Sequence, residues 1–305
     1  MTTCFADVNR EDADHAKSQG NIEADNGRET GERAIGGHET KGRELPRDDV
    51  LFSIDAVSYS VAGRTLLHPL TLDLCAGRMI ALIGHNGSGK STLLNILARQ
   101  RTASTGTIRF IDTPLAQWPT REFAQRVGYL PQHPAQGTDL TVRELVMLGR
   151  YPWHGALGRL GKDDHALVDQ AIEATDMGRF ASHLVDTLSG GERQRAWIAM
   201  LIAQKASCLL LDEPTSALDI AHQIEVLQLL RRLADAERLT IVIVMHDFNL
   251  AARFCDEMIA LRQGKLLAAG SPQLMMKRGM LESIYGIPMD ILQDSAGRHC
   301  IGVPR

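Results

Sequence analysis

Residues 78–92 read RMIALIGHNGSGKST, and the fold follows from how that stretch divides. "RMIALIG" (78–84) is a continuous apolar run ending in a glycine, the pattern of a strand covered on both faces. "GHNGSGKST" (84–92) matches G-x-x-x-x-G-K-[ST], the P-loop pattern, and "STLLNILAR" behind it reads as a helix. A strand, a glycine-rich loop and a helix in that order cradle phosphate. Glycine lets successive backbone N–H groups turn toward one anion, and the helix start adds partial positive charge. In this pattern Lys90 reaches the β- and γ-phosphates, and the Ser91 hydroxyl ligates Mg²⁺. The nucleotide seat is therefore Gly84, His85, Asn86, Gly87, Ser88, Gly89, Lys90, Ser91 and Thr92.

A second apolar run, "CLLLDE" (208–213), predicts a buried central strand with two carboxylates at the end where α/β sheets bind ligands. Asp212 is placed to hold the Mg²⁺ shell and Glu213 to orient a water. Further strands are expected in "LFSIDAVSYSV" (51–61), "TLLHPLTLDL" (65–74) and "LTIVIVMHD" (239–247). Another lies in "EMIALRQGKLLAAG" (257–270), which turns near Gln263-Gly264. Between about 134 and 187 the signals turn helical, opening on a capping box of Thr141 and Glu144. "AHQIEVLQLLRRLADAE" (221–237) fills another gap as a helix. Strands alternating with helices mean an α/β sheet carrying a helical insertion.

Residues 1–49 are polar, with almost no apolar clustering, and are expected to be disordered. The net charge of −4 over 305 residues shows no basic surplus, so nucleic acid is not an expected partner. No apolar run approaches the roughly 18 residues of a membrane span. The first residues contain no apolar segment that could serve as a secretory signal. The five cysteines are scattered without a CxxC pair and read as reduced thiols of a cytoplasmic chain. His133, His154, His165 and His183 lack metal-ligand spacing.

"TLSGGERQR" (187–195) looks like another phosphate cradle. Alone it is only a helix start, with Ser189 as N-cap and Glu192 as the capping-box acid. The chain order decides: P-loop, "YLPQ" (129–132), "LSGGE" (188–192), "LLLDEP" (209–214), "SALD" (216–219), "MHD" (245–247). This succession resembles the ATP-binding cassette (ABC) ATPases from 51 to 270. The resemblance implies a P-loop NTPase (RecA-like) core with an antiparallel β subdomain and an inserted helical subdomain. It implies an ABC ATPase domain over 50–285, a helical subdomain over about 134–187 and a C-terminal tail over 286–305. It also implies that Ser189, Gly190, Gly191 and Glu192 cap ATP held by a second copy of the chain. Two chains would then bury two nucleotides between them, one cradle serving each chain's own ATP and the other its partner's.

Further roles follow from the same resemblance. Tyr59 matches the aromatic that stacks on adenine, and Gln132 the glutamine that touches Mg²⁺ and the water. Glu213 and His246 match the residues that position water and contact the γ-phosphate, and Asp219 the acid linking the two sites across the dimer. Glu192 departs from the glutamine of many relatives. A single cassette without a span resembles the separate ATPase subunit of an importer. Ribosomal cassettes are usually doubled in one chain, and chromosomal ones carry a long heptad arm that is absent here.

"GRYPWHGALG" (149–158), with "GRTLLHPL" (63–70) and "YGIPM" (285–289), resembles the ATPases of ferric hydroxamate siderophore importers. That implies ATP and Mg²⁺ as ligands, a membrane permease as partner and a substrate-binding protein acting indirectly from outside. It places the chain peripherally on the cytoplasmic face of the inner membrane. Tyr151 and Trp153 are then candidate permease contacts. Vitamin B12 and haem importers share the architecture and stand as the alternative.

Overall fold

The computed structural model describes residues 49–134, 137, 139–155, 158–216, 218–293 and 300–305. The expectation of disorder for the N-terminal extension falls outside these residues except for Asp49. β1 (Val50–Val61) and β2 (Arg64–Cys75) form an antiparallel hairpin. Its turn residues Ala62 and Gly63 have φ of 48° and 77°, the left-handed values a tight two-residue turn needs. β3 (Met79–Ile83) then runs into the glycine-rich loop and α1 (Lys90–Leu97). β4 (Thr105–Phe110) and β5 (Thr113–Pro114) complete a four-stranded sheet ordered β2-β1-β4-β5.

α2 (Thr120–Arg126) leads into β6 (Val127–Leu130). The helical insertion follows as α3 (Val142–Leu148), α4 (Tyr151–His154) and α5 (Lys162–Ala174). α6 (Gly190–Gln204), β7 (Cys208–Leu211), α7 (Ile220–Glu237) and β8 (Thr240–Val244) return the chain to the core. α8 (Phe248–Phe254), β9 (Glu257–Arg262) and β10 (Lys265–Gly270) follow. The central sheet is ordered β10-β9-β3-β8-β7-β6. Its members are parallel apart from β10, which pairs antiparallel with β9.

Pleating explains why β3 reads as an unbroken apolar run. Met79, Ala81 and Ile83 face a core shared with α6, α7 and the insertion, while Ile80 and Leu82 face α1 and the antiparallel sheet. All five are buried, so neither face tolerates a polar residue. The expected hairpin at Gln263-Gly264 and the capping box on α3 are both present. Glu144 N–H donates to Thr141 Oγ1 at 3.3 Å, and Thr141 N–H donates to Glu144 Oε2 at 2.8 Å.

Two strands lie within the segment read from sequence as a tail. After α9 (Pro272–Met275) and α10 (Arg278–Tyr285), β11 (Met289–Gln293) pairs antiparallel with β12 (Cys300–Pro304). Cys208 and Cys255 are buried free thiols and Cys300 an exposed one. Among the described residues no helix is long and apolar enough to cross a membrane.

One polar knot anchors the insertion. Asp164 is only 5% exposed and accepts from Arg150 Nε, His154 Nε2 and the Gly161 N–H, each at 2.9 Å. Burial alone would raise its carboxyl, but these hydrogen bonds and the neighbouring imidazole hold it at about 2, against an ordinary 3.8. Because the folded value lies below the unfolded one, its contribution to stability is complete above about pH 4 and lost as pH falls toward 2. Arg150→Met strands that carboxylate and is expected to cost about 3 kcal/mol in denaturant unfolding near neutral pH. The deficit should shrink in acid; coincident unfolding curves at neutral pH would show that the knot does not hold the insertion.

Candidate active site

The loop between β3 and α1 is shaped by three glycines with positive φ: Gly84 at 137°, Gly87 at 76° and Gly89 at 101°. At Gly84 the requirement is also steric, since a Cβ would lie 2.1 Å from the Leu261 carbonyl oxygen of β9. Lys90 opens α1 and folds back, donating from Nζ to the carbonyls of Gly84 at 2.9 Å and His85 at 3.0 Å. Burial lowers its pKa, opposed by the nearby charges of Glu213 and Asp212. Ser88 Oγ is buried with no hydrogen-bond partner among the described residues, and Lys90 is held only by carbonyls. Both features suit a seat completed by phosphate oxygens.

Opposite the loop, β7 delivers its two acids. Ser91 Oγ donates to Asp212 Oδ1 at 2.8 Å. Burial pushes the Asp212 carboxyl above its ordinary range, Ser91's hydrogen bond pulls it back, and the charge of Glu213 adds to the rise. A hydroxyl touching a buried carboxylate beside a phosphate seat is the hard-oxygen donor set that Mg²⁺ uses with substrate phosphates. Glu213 takes φ of 51°, an unusual conformation for a side chain of its size, which turns it away from the strand direction. Its carboxylate lies between Gln132 Nε2 at 2.6 Å and His246 Nε2 at 2.7 Å. A 430 Å³ cavity brings the loop residues Asn86–Thr92 together with Gln132, Glu213 and His246. A larger one, 780 Å³, opens between α8, α9 and β12 and holds no loop residue, so chemistry and not size marks the site.

The remaining candidates lie elsewhere. Tyr59 packs half-buried against the core of the antiparallel sheet, with the Arg101 guanidinium 5.4 Å from its ring centre. It does not line the 430 Å³ cavity. Ser189 caps α6, donating from Oγ to Glu192 Oε2 at 2.7 Å, and the Glu192 N–H returns to Ser189 Oγ at 3.4 Å. The Ser189 hydroxyl, and the Ser189 N–H donating to Glu192 Oε2 at 3.0 Å, hold the Glu192 carboxyl below its usual range. Ser189 and Gly190 are exposed, Gly191 is buried, and none of the four lines the chain's own cavity. Asp219 caps α7, accepting from the His222 N–H at 2.9 Å.

Tyr151 and Trp153 are not equivalent. Tyr151 is 56% exposed, whereas Trp153 is half-buried and donates from Nε1 to the Gln204 carbonyl at 2.8 Å beneath the Arg150 guanidinium. Trp153 thus packs against the end of α6, while Tyr151 is the more open of the two.

Three further residues escaped sequence reading. Arg64 and Leu66 line the cavity from β2. His222 lies under Gly191, where a Cβ would come 2.9 Å from its Cδ2, and so connects Asp219 to the start of α6. Only His222 carried a signal, its position three residues after a helix N-cap.

A family model described as ABC transporter matches residues 67–216. The ferric enterobactin transport ATP-binding protein FepC of Escherichia coli (strain K12) is 42% identical over 240 residues, covering 79% of this chain and 89% of that one. The iron(3+)-hydroxamate import ATP-binding protein FhuC of Bacillus subtilis (strain 168) is 38% identical over 242 residues, covering 79% and 90%. A solved dimeric ATP-binding cassette in a post-hydrolysis state, bound to ADP and Pi, superposes with a TM-score of 0.64 at 27% identity. That likeness covers 72% of this chain and 98% of the other.

Proposed function

This chain belongs to the ATP-binding subunits of ABC transporters, and from that premise we propose that it hydrolyses ATP to drive iron(III)-siderophore uptake through a membrane permease. The observation carrying the chemistry is the Glu213 carboxylate, held between Gln132 and His246 at the mouth of the P-loop cavity. Glu213 orients a water toward the γ-phosphate, and His246 steadies both. Lys90 exchanges its loop carbonyls for β- and γ-phosphate oxygens, so charge stabilisation outweighs proton transfer. Ser91, Asp212 and Gln132 would hold Mg²⁺, which supplies charge neutralisation on the phosphates.

The exposed Ser189-Gly190 start of α6 serves the ATP of a second copy, and Asp219 faces the junction between copies. The dimeric form of the solved cassette supports this arrangement. Tyr59 stacks on adenine after Arg101 gives way. The chain then works peripherally, on the cytoplasmic face of the membrane, with Tyr151 toward the permease and a binding protein delivering cargo from outside. The ABC ATPase domain comprises 50–285, with its helical subdomain over about 134–187.

Cargo is supported by the relatives, whose names specify enterobactin and hydroxamate at 42% and 38% identity. Those values do not separate hydroxamate from other siderophores. Uptake of ⁵⁵Fe-siderophores should therefore be compared in host cells carrying the parent or the Glu213→Gln chain. Hydroxamate, catecholate and carboxylate siderophores form the panel, with haem and vitamin B12 as controls. Loss confined to one siderophore class is expected; loss of haem or B12 alone, or of nothing, would overturn the cargo reading.

A further inference from the structure

The C-terminal hairpin grips the segment that follows His246. Upstream, His246 is fixed by β8, whose five residues are all buried, and by Met245 N–H donating to the Leu82 carbonyl at 3.1 Å. Downstream lies α8, seven residues long, and a helix that short has little stability of its own. Its first turn is capped by Asp247, whose Oδ1 accepts from the N–H groups of Asn249 at 2.8 Å and Leu250 at 3.0 Å.

β12 supplies the other hold. The Gly302 N–H donates to Asn249 Oδ1 at 2.8 Å, and Asn249 Nδ2 donates to the Gly302 carbonyl at 3.1 Å. The side-chain amide thus pairs with β12 as an additional strand residue would. Gly302 sits so close that a Cβ there would lie 2.6 Å from Phe248 Cε2 and 2.7 Å from Leu281 Cδ1. The Phe248 ring in turn lies 5.0 Å from that of Tyr285 on α10. Beyond its contact with Glu213, the His246 side chain is 43% exposed, so its aim is set by the backbone on either side.

We infer that β12 braces His246, and that Asn249 is a positioning residue through which the brace acts on hydrolysis. The inference rests on the reading that His246 meets the γ-phosphate. Loosening the brace lets the imidazole wander from Glu213 without touching the P-loop, so turnover falls while ATP affinity holds.

Two variants test it: Asn249→Ala, and a chain ending at residue 299. Each is made in the parent and in a His246→Ala background, and every protein is assayed for turnover, ATP dissociation constant and melting temperature. In the parent background we expect turnover to fall about fivefold to tenfold, with affinity within about twofold. In the His246→Ala background neither change should have a further effect, because both act through the missing side chain. The imidazole proton resonance assigned to His246, by its absence from His246→Ala, should move in both variants. Parental turnover in both variants, or equal losses in both backgrounds, would remove the brace. Parental hydrolysis by His246→Ala itself would instead sink the γ-phosphate reading. If the shortened chain does not fold, Asn249→Ala carries the same test alone.

Discussion

Glu213→Gln is expected to bind ATP about as tightly as the parent and to hydrolyse it at least about 100-fold more slowly, a loss of about 2.7 kcal/mol in transition-state stabilisation. The substitution conserves shape. It removes one negative charge beside the γ-phosphate, which relieves repulsion in the bound state and favours retention of ATP. It also replaces two acceptor oxygens with one where the nitrogens of Gln132 and His246 converge at 2.6 and 2.7 Å. A water in that place then loses its orienting partner. The variant should accumulate as an ATP-bound dimer, measured by size-exclusion chromatography with radiolabelled nucleotide. Parental hydrolysis would remove Glu213 from the mechanism; lost ATP binding would make it a structural residue.

Ser189→Arg should abolish hydrolysis while each monomer still binds nucleotide. The exposed start of α6 does not line the chain's own cavity, so a bulky cation there should leave Lys90 and its loop untouched. It fills the space where a second chain's phosphate would sit. Lost hydrogen-bond donors of this kind cost about 100-fold or more in rate. The broken capping box costs about 1 kcal/mol of stability, small beside the packing of α6 against the core. Equilibrium ATP binding and turnover on the same preparation decide the matter. Full turnover would mean that hydrolysis needs no second cradle.

The legible parts of this molecule are those written in adjacent residues. β3, its loop and α1 form one continuous stretch, and the capping boxes at Thr141 and Ser189 need only a partner three residues on. The illegible parts depend on distant pairing. Trp153 reads as an exposed aromatic because its anchor, the Gln204 carbonyl, is 51 residues away. Gly302 looks like an ordinary tail glycine until Phe248 and Leu281 close around it. The left-handed turn at Glu213 has no local signature either, because glutamate gives no hint of positive φ. Roles that need a nucleotide or a second chain, those of Tyr59 and Asp219, are legible only as motif order.

The antiparallel sheet is sewn to the phosphate loop by backbone hydrogen bonds. Gly264 N–H donates to the Ser88 carbonyl at 3.0 Å, and His68 N–H to the Gly264 carbonyl at 2.7 Å. The Leu66 carbonyl lies so close to Gly89 and Gly264 that a Cβ would meet it at 3.2 and 2.6 Å. Trimming a side chain leaves such a seam in place, whereas a Cβ at Gly264 would collide with it, so β2, the loop and the β9–β10 turn travel as one plate. The start of α6 belongs to no part of that plate's stitching. On the proposed reading, a solitary chain would be a loaded but uncocked device, idling until another copy supplied the trigger.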